Sequence, residues 1–503
     1  MTSQYGALST NRANYYPPIR NNRMNEERQP LLLGGSDAES INQDHVSVPP
    51  RPDIRCSPES ALLDVSTDDS VTPIGRSGKD VENPLLNRTL EHPTSNLDTM
   101  IHLLKANIGT GILAMPDAFR NAGLIVGLFG TLLMGLICTH CMHILVRCSH
   151  ELCNRCQVPA LGFSDVVFVA FQTGPTRTRR YAQFMKILIN VFLCITQLGF
   201  CCVYFLFVAA NLQGVIAHYY ILLDVHIYLI LLLLPMIFLN WVKNLKLLTP
   251  VSLFAAVLTV IGLAVTFFYM LQDLPSTSTV KSFASWQQLP LYFGTAIYAF
   301  EGIGVILPLE NNMRTPQDFG GLTGVLNTSM VIVACLYTAV GYFGYLKYGD
   351  AVKLGSITLN LPPNDILAQS VRVMMALAIF LSYGLQFYVP MNILWPMVSE
   401  RLTTEHHKQI GEYVLRTGLV IFTFILAAII PNLGIVISLV GAVSSSALAI
   451  VFPSIIEIIT FWPHNLGKYN WMLWKDILII IFGLLGFVFG TYTSIAKIFD
   501  PEI

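Results

Sequence analysis

Asp98-Thr99-Met100-Ile101-His102-Leu103-Leu104-Lys105-Ala106-Asn107-Ile108-Gly109-Thr110-Gly111-Ile112-Leu113-Ala114-Met115-Pro116-Asp117-Ala118-Phe119 is an apolar stretch interrupted by Asn107, Gly109, Thr110 and Gly111. A continuous spanning helix has no use for two glycines and a proline so close together. About two hundred residues on, Phe300-Glu301-Gly302-Ile303-Gly304 is followed by Val305, Ile306, Leu307 and Pro308. Both stretches read Gly-x-Gly, a few apolar residues, then proline. Irregular backbone is tolerated in a bilayer only where protein buries it or it lines a polar cavity. Two interrupted helices at matching places in two halves therefore predict a central binding site of the kind found in inverted-repeat transporters.

The rest of the chain supports a membrane reading. Of 503 residues, 53% are hydrophobic and 12% charged, with a mean hydropathy of +0.57. The apolar residues fall into runs of about 18–25, each long enough to cross a hydrocarbon core of roughly 30 Å. A net charge of −1 excludes a broadly basic nucleic-acid surface. The ten cysteines lie mostly in or beside apolar runs, where small buried thiols are ordinary. Cys153 and Cys156 form one CxxC pair with no second pair at zinc-finger spacing, so no metal site is expected. No cleavable signal peptide is expected either, because the first apolar run begins near residue 97.

Residues 1–97 are rich in Asn, Ser, Pro, Asp and Arg and carry no apolar period, which predicts a disordered tail. Tyr5-Gly6-Ala7-Leu8 is similar to a tyrosine-based sorting signal, and Glu27-Arg28-Gln29-Pro30-Leu31-Leu32 to an acidic dileucine signal. Glu27, Leu31 and Leu32 are the residues such a signal would use to engage sorting adaptors. Residues 98–500 form the membrane domain, with eleven spans expected near 98–119, 122–146, 183–210, 227–241, 248–271, 289–310, 325–346, 366–397, 412–430, 433–461 and 474–496. Between the second and third, the weakly amphipathic Phe163–Phe171 piece is expected to lie at the membrane interface.

One side of these spans collects Arg147, Arg155, Arg177, Arg179, Arg180, Lys243, Lys246, Arg314, Arg401, Lys408, Arg416 and Lys468. The other has Arg120, Lys281, Lys347, Lys353 and Lys497. The positive-inside rule then places the N-terminus in the cytosol and the C-terminus in the lumen or exterior. The sequons at Asn87 and Asn327 fall in the tail and in a span, so neither is expected to carry glycan.

His102-Leu-Leu-Lys-Ala-Asn-Ile-Gly-Thr-Gly-Ile-Leu, Ile195-Thr-Gln-Leu-Gly-Phe-Cys-Cys-Val-Tyr-Phe, Phe300-Glu-Gly-Ile-Gly-Val-Ile-Leu-Pro-Leu-Glu-Asn, Gly355-Ser-Ile-Thr-Leu-Asn-Leu-Pro and Ile437-Ser-Leu-Val-Gly-Ala-Val-Ser-Ser-Ser-Ala-Leu resemble the proton-coupled amino acid transporters of the amino acid/auxin permease superfamily. The resemblance covers about residues 97–496. It implies an all-α polytopic fold, a five-plus-five inverted repeat with discontinuous helices 1 and 6 and an added eleventh helix. It also implies symport of small neutral amino acids with protons, at the plasma membrane or the late endosome and lysosome, with His102 as the proton-linked residue and no cofactor. The chain departs from the family in one respect. The external cysteine pair is absent: the loop near Asp224 has none, and Pro363, Asn364 and Asp365 follow the Leu-Asn-Leu-Pro motif.

Opposed half-helix ends present free amides and free carbonyls with opposite partial charges. A zwitterionic amino acid fits that field. The substrate is expected to meet Asn107, Ile108, Gly109, Thr110 and Gly111 on one side and Phe300, Glu301, Gly302 and Gly304 on the other, with Phe300 and Tyr383 limiting side-chain size. Glu301 and His102 are the candidate proton carriers, with Asp98 one turn before His102. The bland readings are a carboxyl reaching water at a helix break, a solvated Asp98/His102 pair, a snorkelling Lys105, and glycines that only permit close packing. Ser444-Ser445-Ser446 reads as packing. Two other functions use the same residues or class: a polytopic enzyme, which lacks HExxH or GxSxG signatures, and an amino acid sensor signalling to cytosolic partners through the tail. A channel lacks a repeated filter motif.

Overall fold

The two interrupted spans break at a glycine, Gly109 and Gly302, while Pro116 and Pro308 stand inside the helices that follow. A computed structural model describes residues 93–500 with Pro84 and Arg88, except 220–222, 244, 354, 464–465 and the side chains of 245–249. Tyr5–Leu8, Glu27, Leu31, Leu32 and the Asn87 sequon lie outside the described residues. The first span is two helices, α1 (Asn96–Asn107) and α2 (Thr110–Ala122), and the sixth is also two, α8 (Leu289–Ala299) and α9 (Ile303–Asn311). After the first come α3 (Leu124–Cys156), α4 (Phe163–Thr173), α5 (Ala182–Tyr219), α6 (Val225–Trp241) and α7 (Leu245–Leu271). After the second come α10 (Val325–Tyr348), α11 (Ile366–Ser399), α12 (Glu405–Ile429), α13 (Leu433–Val440), α14 (Phe452–Phe461) and α15 (Trp471–Phe499).

The protein is an all-α polytopic membrane protein. Among the described residues nine helical segments are long and apolar enough to cross a membrane; the interrupted α1–α2 pair and the 17-residue α6 are the two other spans that the sequence nominates. Each interrupted span heads a run of five, and α15 stands after both. Side-chain contacts respect the alternation of faces that this order demands. Lys243 pairs with Glu412 at 2.9 Å on the face where α1 begins. On the other face, Lys281 pairs with Asp350 at 3.2 Å and Arg120 donates to the Val352 carbonyl at 2.9 Å. Large apolar side chains such as Phe129, Leu136, Leu231 and Val260 stand exposed on the perimeter, as a lipid-facing surface requires.

Three local expectations shift. Six of the 11 residues of α4 are buried and the helix packs on α5 and α14, so it is docked on protein and not simply laid on the bilayer. Arg416 is inside α12 and buried, donating to the Asn240 carbonyl at 2.9 Å, so it is no loop charge. The first span also starts before residue 98, since α1 begins at Asn96 and Ser95 caps it with a reciprocal Ser95/Asp98 box.

Backbone approach is closest where α8 crosses the start of the π-helical stretch Gly441–Ser445 that continues α13. A Cβ on Gly441 would lie 1.9 Å from the Gly294 carbonyl oxygen, and one on Gly294 would lie 2.4 Å from the Ser438 carbonyl oxygen. Ser446, between that stretch and a second π-helical one (Ala447–Val451), donates to the Ala442 carbonyl. Such side-chain back-bonding accompanies the local unwinding. We expect Gly441→Ala to lower stability by about 3 kcal/mol or to prevent folding. Gly418→Ala, with nothing within 4 Å of its Cβ, should unfold at nearly the wild-type temperature. Thermal unfolding in detergent measures both.

Candidate functional site

Where α1 stops and α2 starts, Gly109 caps α2 with no side-chain hydrogen bond; where α8 stops and α9 starts, Gly302 does the same for α9. The first amides of both second halves are therefore left without caps, pointing to the middle of the molecule. The carbonyl ends are held differently. The Tyr337 hydroxyl from α10 lies 2.5 Å from the Asn107 carbonyl oxygen and 2.8 Å from that of Ala299, so one hydroxyl proton is shared between both breaks. Thr110 and Tyr298 join the same pair of helices through their hydroxyls at 2.8 Å.

A cavity of about 370 Å³ starts at these breaks. Its walls are Ile108 and Gly109, Glu301 with Gly302 and Gly304, Gln197 and Tyr204 from α5, Ser252 and Thr259 from α7, and Gln386 and Tyr388 from α11. It runs toward the face where α1 begins, reaching His102 and Lys105 on α1 and Leu309 on α9. Lys105 donates to the Ser252 hydroxyl and so ties α1 to α7 across this mouth. Gln386 donates to the Tyr204 hydroxyl at 3.3 Å. The Gln197 side-chain amide oxygen is buried with no partner. Glu301 is 6% exposed, and among the described residues its carboxyl joins none of the ion pairs.

A buried carboxyl, an unpartnered amide oxygen, uncapped amides and an apolar wall in one compartment suit a small zwitterion. Residues 92–496 match the family described as transmembrane amino acid transporter protein. The chain belongs to that family. It is 42% identical over 423 residues to the proton-coupled amino acid transporter-like protein pathetic of Drosophila melanogaster, covering 84% of this chain and 89% of the relative. It is 27% identical over 415 residues to the probable amino acid transporter skat-1 of Caenorhabditis elegans, covering 79% of this chain and 89% of the relative. Among solved structures, MhsT in complex with L-phenylalanine aligns at a TM-score of 0.39 and 14% identity, over 80% of this chain and 99% of that one. Family membership makes the protein a transporter and not an enzyme.

Of the residues that the transporter's sequence nominates, Ile108, Gly109, Glu301, Gly302, Gly304 and His102 line the cavity. Asn107, Thr110, Gly111, Phe300 and Tyr383 do not. Phe300 is fully buried with its ring 4.9 Å from that of Tyr337. Tyr383 bonds the Thr423 hydroxyl at 2.8 Å and stacks on Phe387. Neither ring is part of the cavity wall in this structure. Gly111 serves packing: its Cβ would come within 2.7 Å of the Ala299 Cα, across the α2–α8 contact. Asp98 spends its carboxylate on Ser95, with 2.7 Å to the hydroxyl, and forms no hydrogen bond with His102. Asn327 is held at 2.7 Å by His143, and no cluster of His, Cys, Asp or Glu among the described residues has the makings of a metal site.

Gln197, Tyr204, Ser252, Gln386 and Tyr388 were not nominated. A signal existed for Gln197, an amide alone in the apolar run of α5, inside the Ile195-Thr-Gln-Leu-Gly-Phe motif. Two substitutions separate packing from site. Gly111→Val should lower the yield of folded transporter together with its activity, whereas Gly304→Ala, whose Cβ would meet only Leu193 at 3.5 Å, should fold normally. Tyr337→Phe should cost about 1–3 kcal/mol, since two buried carbonyls lose their shared donor; thermal unfolding and yield by size-exclusion chromatography report on all three.

Proposed function

We propose that the protein is a secondary active transporter that moves small or medium neutral amino acids in symport with protons. The observation that carries this reading is Glu301, a buried carboxyl without an ion-pair partner among the described residues, at the junction of two uncapped half-helices. A carboxyl in such a place is tolerated when a proton or a cationic group neutralises it. The substrate ammonium donates to the side-chain carbonyl oxygen of Glu301, protonated by the coupling ion, and to the carbonyl ends. The substrate carboxylate meets the break at Ile108 and Gly109, beside the N-terminus of α2, where the helix dipole favours negative charge. Lys105, the other charged group on the lining, lies toward the mouth and is held by the Ser252 hydroxyl. The printed name of the Drosophila relative, a proton-coupled amino acid transporter-like protein, supports the coupling ion.

The N-terminus lies in the cytosol by the loop charges, so the cavity faces the cytosol. Sorting adaptors reading Glu27, Leu31 and Leu32 direct the protein to late endosomes or lysosomes, where it exports amino acids; at the plasma membrane the same stroke imports them. A gradient of roughly two pH units supplies about 1.4 kcal/mol per unit for each proton carried, enough to hold an outward gradient of about a hundredfold in a neutral substrate. Glu301 takes the proton at the site, and His102, at the exposed end of the cavity, passes it to the cytosol.

The test is uptake of labelled alanine, proline, glutamine, arginine and glutamate into proteoliposomes as the external pH is varied. Neutral substrates should be preferred and uptake should rise as the outer solution is acidified. Glu301→Gln and His102→Ala, at matched abundance, should each flatten that pH response. If both variants keep it, neither residue carries the proton; a wild type indifferent to pH has no proton symport, and a preference for arginine or glutamate contradicts the site.

A further inference from the structure

On the face where α1 begins, a second charged site lies outside the cavity. Glu310, the residue after cavity-lining Leu309, has a side chain that is 0% exposed and pairs with the guanidinium of Arg88, itself 5% exposed. The Arg88 Nη1 donates to Glu310 Oε1 at 3.1 Å and to the Glu310 carbonyl at 3.0 Å, Nη2 donates to Oε2 at 3.3 Å, and Nε donates to the Pro159 carbonyl at 2.7 Å. Every nitrogen of the guanidinium is engaged. His150 of α3 also lies on Glu310 Oε1, its Nε2 at 2.8 Å. Two parallel bonds to a carboxylate, with two more to backbone carbonyls, fit a planar five-donor fork and not a point charge.

The socket sits on parts of the chain that control the cavity mouth. Residues before α1 are laced to those after α9: the Thr94 amide donates to the Asn312 carbonyl at 2.8 Å, and the Arg314 amide to the Thr94 carbonyl at 3.0 Å. Asn96 adds a bond to Asp318 at 3.0 Å and accepts one from Thr315 at 3.0 Å; the Asn96 amide, with Thr315, holds the Asp318 carboxyl below its ordinary range. The inner halves α1 and α9 are thereby one body. The Pro159 carbonyl and His150 belong to the neighbouring scaffold of α3 and the α3–α4 connection, which Asn311 also reaches through the Leu161 carbonyl at 2.9 Å. Arg88 is the charged link between that body and that scaffold.

We propose that Glu310 and the Pro159 carbonyl form a guanidinium receptor, filled by the chain's own Arg88, that latches α9 to the α3–α4 scaffold and sets access to the cavity from the N-terminal face. The access part rests on the transport reading above; the receptor itself does not. Removing one partner leaves a buried charge uncompensated, a large perturbation, and a state less populated binds its ligand more weakly in proportion.

Limited trypsinolysis of the full chain in detergent, with the cut after Arg88 read by mass spectrometry, tests the receptor without any substrate. The cut should be slow in the wild type and about tenfold faster or more in Glu310→Gln. Ethylguanidinium at tens of millimolar, about the weak range expected of a fragment, should accelerate the wild-type cut and leave Glu310→Gln unchanged. If Glu310→Gln does not fold, Arg88→Lys gives the same readout, since an ammonium cannot span both carboxylate oxygens and the Pro159 carbonyl. Equal cutting in wild type and variant, or no effect of ethylguanidinium on the wild type, overturns the receptor. For access, Arg88→Ala in proteoliposomes should raise the KM for alanine presented at the N-terminal face by about tenfold, with ethylguanidinium restoring it. An unchanged KM, or restoration that persists in Arg88→Ala/Glu310→Gln, overturns the latch. A chain that protects Arg88 yet moves no amino acid keeps the receptor and fails only as a transporter.

Discussion

In the low-dielectric middle of a bilayer an unpaired carbonyl is expensive, and this fold places two interrupted helices there. The Tyr337 hydroxyl, set between the carbonyls of Asn107 and Ala299, makes the interruption tolerable. It satisfies the carbonyl ends while leaving the amide ends of α2 and α9 uncapped. The site thus gains a polarity that does not depend on a charged side chain, and the buried Glu301 is added to it. Apolar packing closes the sides away from the cavity: Phe300 and Gly135 bring α3 and α10 against the break, and Phe200 and Tyr298 meet edge to face across it.

The interruptions were legible from the sequence because backbone chemistry is written locally. Two glycines and a proline cannot sit in a spanning helix without consequence, and both breaks fall where Gly109 and Gly302 stand. Which side chains face the cavity was less legible. Gly109 and Gly111 look equivalent in sequence, yet two residues on a helix point to different sides: one faces Tyr204 and the other Ala299. Tyr383 lies on the same helix as cavity-lining Ser382 and Gln386 but turns its ring to Phe205 and Thr423. Such assignments need the rotation of each helix about its axis, which neighbours fix. The Arg88–Glu310 pair, 222 residues apart, had no local signature at all.

The close crossing of α8 with the start of the π-helical run explains a feature that the sequence reading assigned only to packing. Ser444 and Ser446 return their hydroxyls to the carbonyls one turn back. The widened turns keep those polar groups internal while Gly441 lets the α8 backbone approach. The tenth span is 83% buried in its most apolar window and meets the half-helix it touches backbone to backbone. By contrast α15, at 17%, lies mostly against lipid.

The bilayer itself must answer to α6. Its 17 residues rise about 26 Å, several ångströms less than an ordinary hydrocarbon core, and Asp224 and Lys243 bracket it closely. Ile230, Leu231, Leu234 and Phe238 stand exposed along its outer side, so lipid and not protein covers that short belt. Mismatch of this kind costs a fraction of a kcal/mol per ångström, and the 34-residue α11 incurs none by being too short. A belt this short is therefore matched at less cost by a thin membrane than by a thick one.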